Sequence, residues 1–220
     1  MADLADQLRS KFIVFDGNEG CGKSTQARMV HEKLAGMDIP SLLVRDPGTT
    51  RIGEKIRQML LDPANNDMNM RAEMLLYMAA RAQMMQEIIS PALREGKCVL
   101  SDRFISSTLA YQLGGDGLTA EEIRAVGDVA IAGRWPDLTI LLDLPVELSS
   151  QRVRPKFSAG ADGAGQKDRI ELRPAAYHQQ VRENYLRQAR QHPQHYRVID
   201  ASGDVAAVAA EVWRTLQEMP

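Results

Sequence analysis

Lys11-Phe12-Ile13-Val14-Phe15-Asp16 runs straight into Gly17-Asn18-Glu19-Gly20-Cys21-Gly22-Lys23-Ser24-Thr25. A short apolar strand feeding G-x-x-x-x-G-K-S is the phosphate-binding P-loop pattern. Gly17 and Gly22 let the backbone turn tightly and approach a phosphate with no Cβ in the way. Successive N–H groups then converge on one concavity, at the positive end of the helix that follows. Lys23 is expected to reach the β- and γ-phosphates of a nucleotide, and the Ser24 hydroxyl to ligand Mg²⁺.

Apolar strands and helical patterns alternate beyond this loop. Gln26 to Gly36 continues the P-loop helix, and Ser41-Leu42-Leu43-Val44 is a short buried strand ending in the polar turn Arg45-Asp46-Pro47-Gly48-Thr49-Thr50. Open α/β sheets place ligands at such strand ends. Ile52 to Leu61 has helical spacing. Arg71 to Leu93 is the longest helical pattern, with Met74, Leu75, Met78, Met84 and Met85 as a core or subunit-contact stripe. Tyr77 and Arg81 stand four residues apart on it and share a face.

Lys97 to Ser101 reads as the third strand, and Asp102-Arg103 ends it. An Asp at that place in a P-loop protein is a candidate Mg²⁺ or water ligand. Ser106 to Gln112 forms a short helix broken at Gly114 to Gly117, and a capped helix starts near Thr119. Leu138 to Asp143 is the fourth strand, with a helix from about Val146. Arg152 to Arg173 combines Arg152, Arg154, Lys156, Lys167, Arg169 and Arg173 with a Gly/Ala-rich centre. Such a stretch suits a phosphate-covering lid, which needs charge and freedom to close. A helix over Ala175 to Gln191, a fifth strand at Tyr196 to Asp200 and a helix to Gln217 follow. The alternation predicts a parallel sheet covered on both faces. The four histidines are expected at the surface.

Composition sets bounds. Of 220 residues, 44% are hydrophobic and 25% charged, as in ordinary globular proteins, and the net charge of −2 gives no global field for nucleic acid. Cys21 and Cys98 form neither a disulfide framework nor a metal pattern, which fits a reducing cytoplasm. No apolar run approaches the ~18 residues of a membrane span. Phosphoryl transfer to a small-molecule acceptor is the reaction these features favour.

Six motifs, in order, resemble those of the bacterial thymidylate kinases. The P-loop with Glu19 inside it is similar to D/E-G-x-E/D-G-x-G-K-S/T, and Arg45-Asp46-Pro47-Gly48 to R-E-P-G. Tyr77 to Gln83 resembles F-x-A-x-R-x-Q, and Asp102-Arg103-Phe104 resembles D-R-Y/H. Ser107 to Gln112 resembles S-x-x-A-Y-Q, and Asp168-Arg169-Ile170-Glu171 resembles D-R-I/F-E. Asp46 stands in place of Glu, Thr49 in place of Gly, and Tyr77 in place of Phe.

The resemblance implies an α/β, three-layer P-loop kinase fold: a five-stranded parallel sheet flanked by helices, with a mobile lid over about residues 152–173. It implies one nucleoside monophosphate kinase domain over residues 1–220, residues 1–10 being an N-terminal extension, and a homodimer. The activity implied is dTMP + ATP ⇌ dTDP + ADP with Mg²⁺. ATP would lie on Gly17, Asn18, Glu19, Gly20, Cys21, Gly22, Lys23, Ser24 and Thr25, with Arg152 against the adenine. Ser24 and Asp102 would organise the metal. Tyr77 would stack on thymine, and Arg81 would bond the base and help exclude cytosine. Arg45 and Arg103 would grip the monophosphate. Ser107, Tyr111 and Gln112 would complete the nucleoside pocket, with Glu19 near the 3′-hydroxyl. Asn18 to Cys21 contain no Arg, so the catalytic cation would come from the lid, as Arg154 or Arg169 beside Lys23 and Arg103. The alternatives are a deoxynucleoside kinase or a non-catalytic nucleotide-binding module. No guanine-reading N/T-K-x-D follows the fourth strand.

Overall fold

A computed structural model describes residues 4–152 and 168–219. In chain order the elements are α1 (Leu4–Leu8), β1 (Phe12–Asp16), α2 (Lys23–Ala35), β2 (Ser41–Arg45), α3 (Arg51–Leu61), α4 (Met70–Met84), α5 (Ser90–Arg94), β3 (Cys98–Asp102) and α6 (Ile105–Tyr111). They continue with α7 (Ala120–Ile131), β4 (Leu138–Asp143), α8 (Val146–Arg152), α9 (Ala175–Gln191), β5 (Tyr196–Asp200) and α10 (Val205–Gln217).

The five strands form one parallel sheet in the order β2-β3-β1-β4-β5. Successive side chains of a strand point to opposite faces. Accordingly Ile13 and Phe15 of β1 join one core with Ala27, Val30 and Leu34 of α2 and Val212 and Leu216 of α10. Phe12 and Val14 join the other, with Met74, Met78, Phe104, Ile123 and Ile131. Burial on both faces explains why the central strands β1, β3 and β4 read as largely apolar runs.

The long pattern from Arg71 to Leu93 is not one regular helix. Between α4 and α5 the chain widens into a π-turn at Met85–Ile89, closed by the Ser90 N–H donating to the Met85 carbonyl. Pro91 follows at once; it has no N–H, and its ring would crowd the carbonyl four residues back in a regular helix. Met74, Met78, Met84 and Met85 are buried, whereas Leu75 is 53% exposed. None of the four histidines is buried: His195 is exposed, and His31, His178 and His192 are partly exposed, His31 contacting Ser41 Oγ at 2.8 Å and His192 contacting Arg124 at 2.9 Å.

Three loops converge at the carboxyl edge of the central strands. Register pairs Phe15 with Asp102 and Asp102 with Arg45. The P-loop, Asp102-Arg103 and the Arg45–Thr50 turn therefore meet there, beside the point where the chain crosses from one half of the sheet to the other.

Candidate active site

These loops border a cavity of 370 Å³. Its first wall is the P-loop. Gly17 has φ of 138°, and a Cβ there would collide with the Leu142 carbonyl; Gly22 has φ of 98° just before α2. Only glycine adopts such angles freely. Asn18 Nδ2 donates to the Leu144 carbonyl at 2.9 Å, and Ser149 Oγ to the Glu19 carbonyl at 2.6 Å, fastening the loop to the end of β4 and to α8. Lys23 Nζ folds back onto the loop, donating to the carbonyls of Asn18 (2.8 Å) and Gly17 (3.1 Å). The Cys21 thiol is buried beside it, 3.6 Å from Nζ, and burial pushes its pKa up despite the nearby cation.

Ser24 Oγ donates to Asp102 Oδ2 at 2.5 Å. A hydroxyl and a carboxylate are hard oxygen donors of the kind Mg²⁺ takes, and Mg²⁺ usually fills its remaining positions with water and phosphate oxygens. The described residues hold no cluster of three His, Cys, Asp or Glu groups for a metal. The pair thus fits Mg²⁺ shared with a phosphate ligand and does not fit an all-protein cage.

Arg103 forms the centre of the second wall. Its backbone sits at φ of 74°, the left-handed region that costs a non-glycine residue about 1–3 kcal/mol. Its side chain explains why the surroundings enforce this. Nη1 donates to Asp16 Oδ1 (3.4 Å), the Gly17 carbonyl (3.2 Å), Ser107 Oγ (3.1 Å) and Tyr185 Oη (3.1 Å). Nη2 donates to Glu19 Oε1 and to Tyr111 Oη. Burial works against the charge, but Tyr111, Glu19, Tyr185 and Asp16 outweigh it and hold the guanidinium pKa well above its usual value. Asp16, wholly buried, also accepts from Ser106 Oγ (2.6 Å), Ser107 Oγ (2.8 Å) and Tyr185 Oη (2.5 Å).

The floor is Tyr77 and Arg81 of α4. The Arg81 guanidinium lies 5.6 Å from the Tyr77 ring centroid. Its Nε donates to Asp46 Oδ2 (2.6 Å), Nη1 to Thr108 Oγ1 (2.7 Å) and Met78 Sδ (3.5 Å), and Nη2 to the Phe104 carbonyl (2.8 Å). Of its five N–H groups, one on Nη2 remains for a ligand. Asp46 Oδ1 has no hydrogen-bond partner among the described residues, and burial raises the Asp46 pKa against the pull of Arg81. Arg45 reaches the rim, its Nη2 donating to Glu54 at 2.8 Å. Arg57 stands beside it, its Nη1 on the Pro47 carbonyl and its pKa lowered by burial and by the Arg45 charge. Arg152 closes the far rim, donating to the carbonyls of Ala201 (2.8 Å) and Ser202 (2.9 Å).

The structure thus gathers Glu19, Gly20, Gly22, Lys23, Ser24, Thr25, Arg45, Tyr77, Arg81, Asp102, Arg103, Ser107, Tyr111, Gln112 and Arg152 around one space. Arg154, Lys156 and Lys167 lie outside the described residues, as does most of the expected lid. Arg169, expected as a lid cation, is turned inward in this structure. It is 5% exposed, its Nε donates to the Leu60 carbonyl, and its Nη2 is ion-paired with the buried Glu73. In Asp168-Arg169-Ile170-Glu171 it is Asp168 and Ile170 that line the cavity. Arg169→Ala leaves the buried Glu73 carboxylate with Arg173 as its remaining cation and is expected to cost about 1.5–3 kcal/mol of stability. Denaturant unfolding measures this, and a cost under about 1 kcal/mol would restore Arg169 as a free lid residue.

Sequence reasoning missed Asp16 and Tyr185, which hold Arg103, and Arg57. Arg57 had a faint signal: it follows the basic turn by less than three helical turns, on the same helix face as the small Gly53.

A phosphate cradle on one wall faces an arginine-lined chamber on the other, across a space for two ligands. Fold and site together define a P-loop phosphotransferase acting on small phosphorylated molecules. More specifically, the chain belongs to the thymidylate kinase family, whose model, described as "Thymidylate kinase", matches residues 15–212. It is 43% identical over 212 residues to the thymidylate kinase of Pelotomaculum thermopropionicum, covering 96% of this chain and 95% of that protein. It is 42% identical over 209 residues to that of Desulforudis audaxviator, covering 94% and 90%. The crystal structure of thymidylate kinase from Ehrlichia chaffeensis superposes with a TM-score of 0.73 at 28% identity, covering 94% of this chain and 98% of that one.

Proposed function

We propose that the protein transfers the γ-phosphoryl group of ATP to the 5′-phosphate of dTMP, giving dTDP and ADP. The observation that carries this reading is the pairing, in one cavity, of the P-loop lysine with the Tyr77–Arg81 floor and the cation at Arg103. An oxygen of the dTMP phosphate attacks the γ-phosphorus, and the bond from that phosphorus to the β,γ-bridging oxygen breaks. No general base is needed, because a phosphate monoester with a second pKa of about 6 is largely dianionic at neutral pH. What the protein must do is bring two polyanions together, and arginines suit that task.

On this reading the P-loop amides and Lys23 hold the ATP phosphates, with Arg152 toward the adenine. Ser24 and Asp102 hold Mg²⁺, which when bound neutralises phosphate charge. Arg45, Arg57 and Arg103 take the acceptor phosphate, Tyr77 stacks on the base, and Arg81 offers it the remaining Nη2 proton. Ser107, Tyr111 and Gln112 enclose the nucleoside, and Glu19 lies by the sugar. Among the lid cations, Arg154 is left as the leading candidate for the transferring group. The protein acts in the cytoplasm, a reading supported by its two buried free cysteines. It acts as a homodimer, for which exposed Leu75 on α4 and Val129 on α7 offer apolar surface.

Steady-state assays with dTMP, dUMP, dCMP, dGMP, AMP and thymidine test the reading. The expected order places dTMP first. Preference for thymidine, or for any nucleotide other than dTMP or dUMP, would overturn it.

A further inference from the structure

Glu73 lies on α4 one turn before Tyr77, and its side chain is wholly buried. A carboxylate in that position needs a partner for each oxygen. Oε2 accepts from Nη2 of Arg169 and from Nη2 of Arg173, the latter at 2.7 Å. Oε1 accepts from Gln112 Nε2 at 2.5 Å. Arginine only donates, so the cluster turns an acceptor toward Gln112. A glutamine amide carries donors on nitrogen and an acceptor on oxygen, and rotation about its last bond exchanges them. Opposite Glu73 only one of the two orientations is bonded, with the NH₂ facing the carboxylate. Gln112 also lines the cavity. With one N–H given to Glu73, Gln112 keeps its second N–H and its carbonyl oxygen, and that oxygen is the acceptor it has for a ligand.

We propose, resting on the reading of this chamber as a dTMP site, that Glu73 is a specificity-determining positioning residue: it fixes the Gln112 amide with Oε1 toward the base. An acceptor there matches the ring imide N–H of thymine and uracil. Cytosine presents a bare ring nitrogen at the same position, acceptor against acceptor, and leaving buried polar groups unpaired is what makes a site reject a near-isostere. Glu73 does not touch the ligand; it acts through Gln112. The same carboxylate anchors Arg169 and Arg173, so the reading of the base and the seating of the 168–173 segment share one group.

The test compares kcat/KM for dTMP, dUMP and dCMP in the wild-type protein and in Glu73→Gln. A glutamine at 73 can offer either a donor or an acceptor, so Gln112 is free to turn over. The dTMP-to-dCMP ratio is expected to fall at least about tenfold, with dUMP following dTMP, the change residing in KM for the pyrimidine nucleotides and KM for ATP unaltered. A purely structural Glu73 would lower kcat for all three acceptors by one factor and leave the ratio intact, and that result overturns the proposal alone. A wild-type protein that does not prefer dTMP or dUMP over dCMP would instead overturn the reading of the site. If Glu73→Gln does not fold, the Gln112 side-chain NH₂ resonances of the ¹⁵N-labelled wild-type protein decide. They are expected to exchange slowly with solvent both before and after dTMP is added, as an N–H held by the buried Glu73 carboxylate does. Fast exchange would overturn the proposal.

Discussion

Arg103→Ala is expected to lower kcat/KM for dTMP about 10³-fold, a loss of ~4 kcal/mol of transition-state stabilisation. The guanidinium does two jobs that alanine abandons together. It offers charge-assisted donors to the acceptor phosphate, and it cancels Asp16 and Glu19, its two acidic partners in the cavity wall. Without it, a dianionic substrate would meet two carboxylates, one of them wholly buried. Arg103→Lys keeps the charge but reaches fewer of the five side-chain acceptors around Nη1 and Nη2, and is expected to recover only part of the loss. KM for ATP is expected to stay near the wild-type value in both. A decrease of less than tenfold for the alanine variant, measured on protein whose unfolding transition is intact, would remove Arg103 from the acceptor site.

Lys23→Ala is expected to reduce kcat by about 10³-fold or more, the scale reported when a cation facing the transferring phosphoryl group is deleted. Lys23 Nζ now bonds two carbonyls of its own loop, at 2.8 and 3.1 Å. A phosphate competes for that ammonium, and the competition favours the state with most charge on the phosphate oxygens. The effect therefore falls on kcat more than on KM. The cost to folding should be small, about 1–2 kcal/mol for two backbone acceptors that water can reach once Nζ is gone. A variant that keeps more than a tenth of the wild-type turnover would refute the role.

The parts of the fold and site legible in the sequence were those written in contiguous residues. β1 through α2 carries its chemistry in one run, and Arg45 to Thr50 carries its own in another. The central strands β1, β3 and β4 could be read because they are buried on both faces and so are largely apolar, whereas the edge strands β2 and β5 are partly exposed and carry shorter apolar runs. The break after Met84 was less legible: helical spacing runs unbroken through the π-turn, and Pro91 alone betrays it. Groups assembled from distant segments were not legible. Tyr185 reaches Asp16 across 169 positions, and Arg169 reaches Glu73 across 96. No local pattern in α9 distinguishes Tyr185 from any other buried aromatic residue. Arg169 shows the opposite failure. Its motif was readable, but a basic residue in a basic stretch does not announce that a buried carboxylate has claimed it.

The order of the sheet also governs when the protein becomes competent during its own synthesis. β1 leaves the ribosome well before either neighbour, since β3 begins at Cys98 and β4 at Leu138. At about 5–20 residues per second, the strand that bears the P-loop waits several seconds with both edges unpaired. Even then the loop lacks its fastenings, because Asn18 is tied to Leu144 and Glu19 to Ser149. A nascent chain released before β4 therefore carries the whole P-loop sequence with neither of these two fastenings.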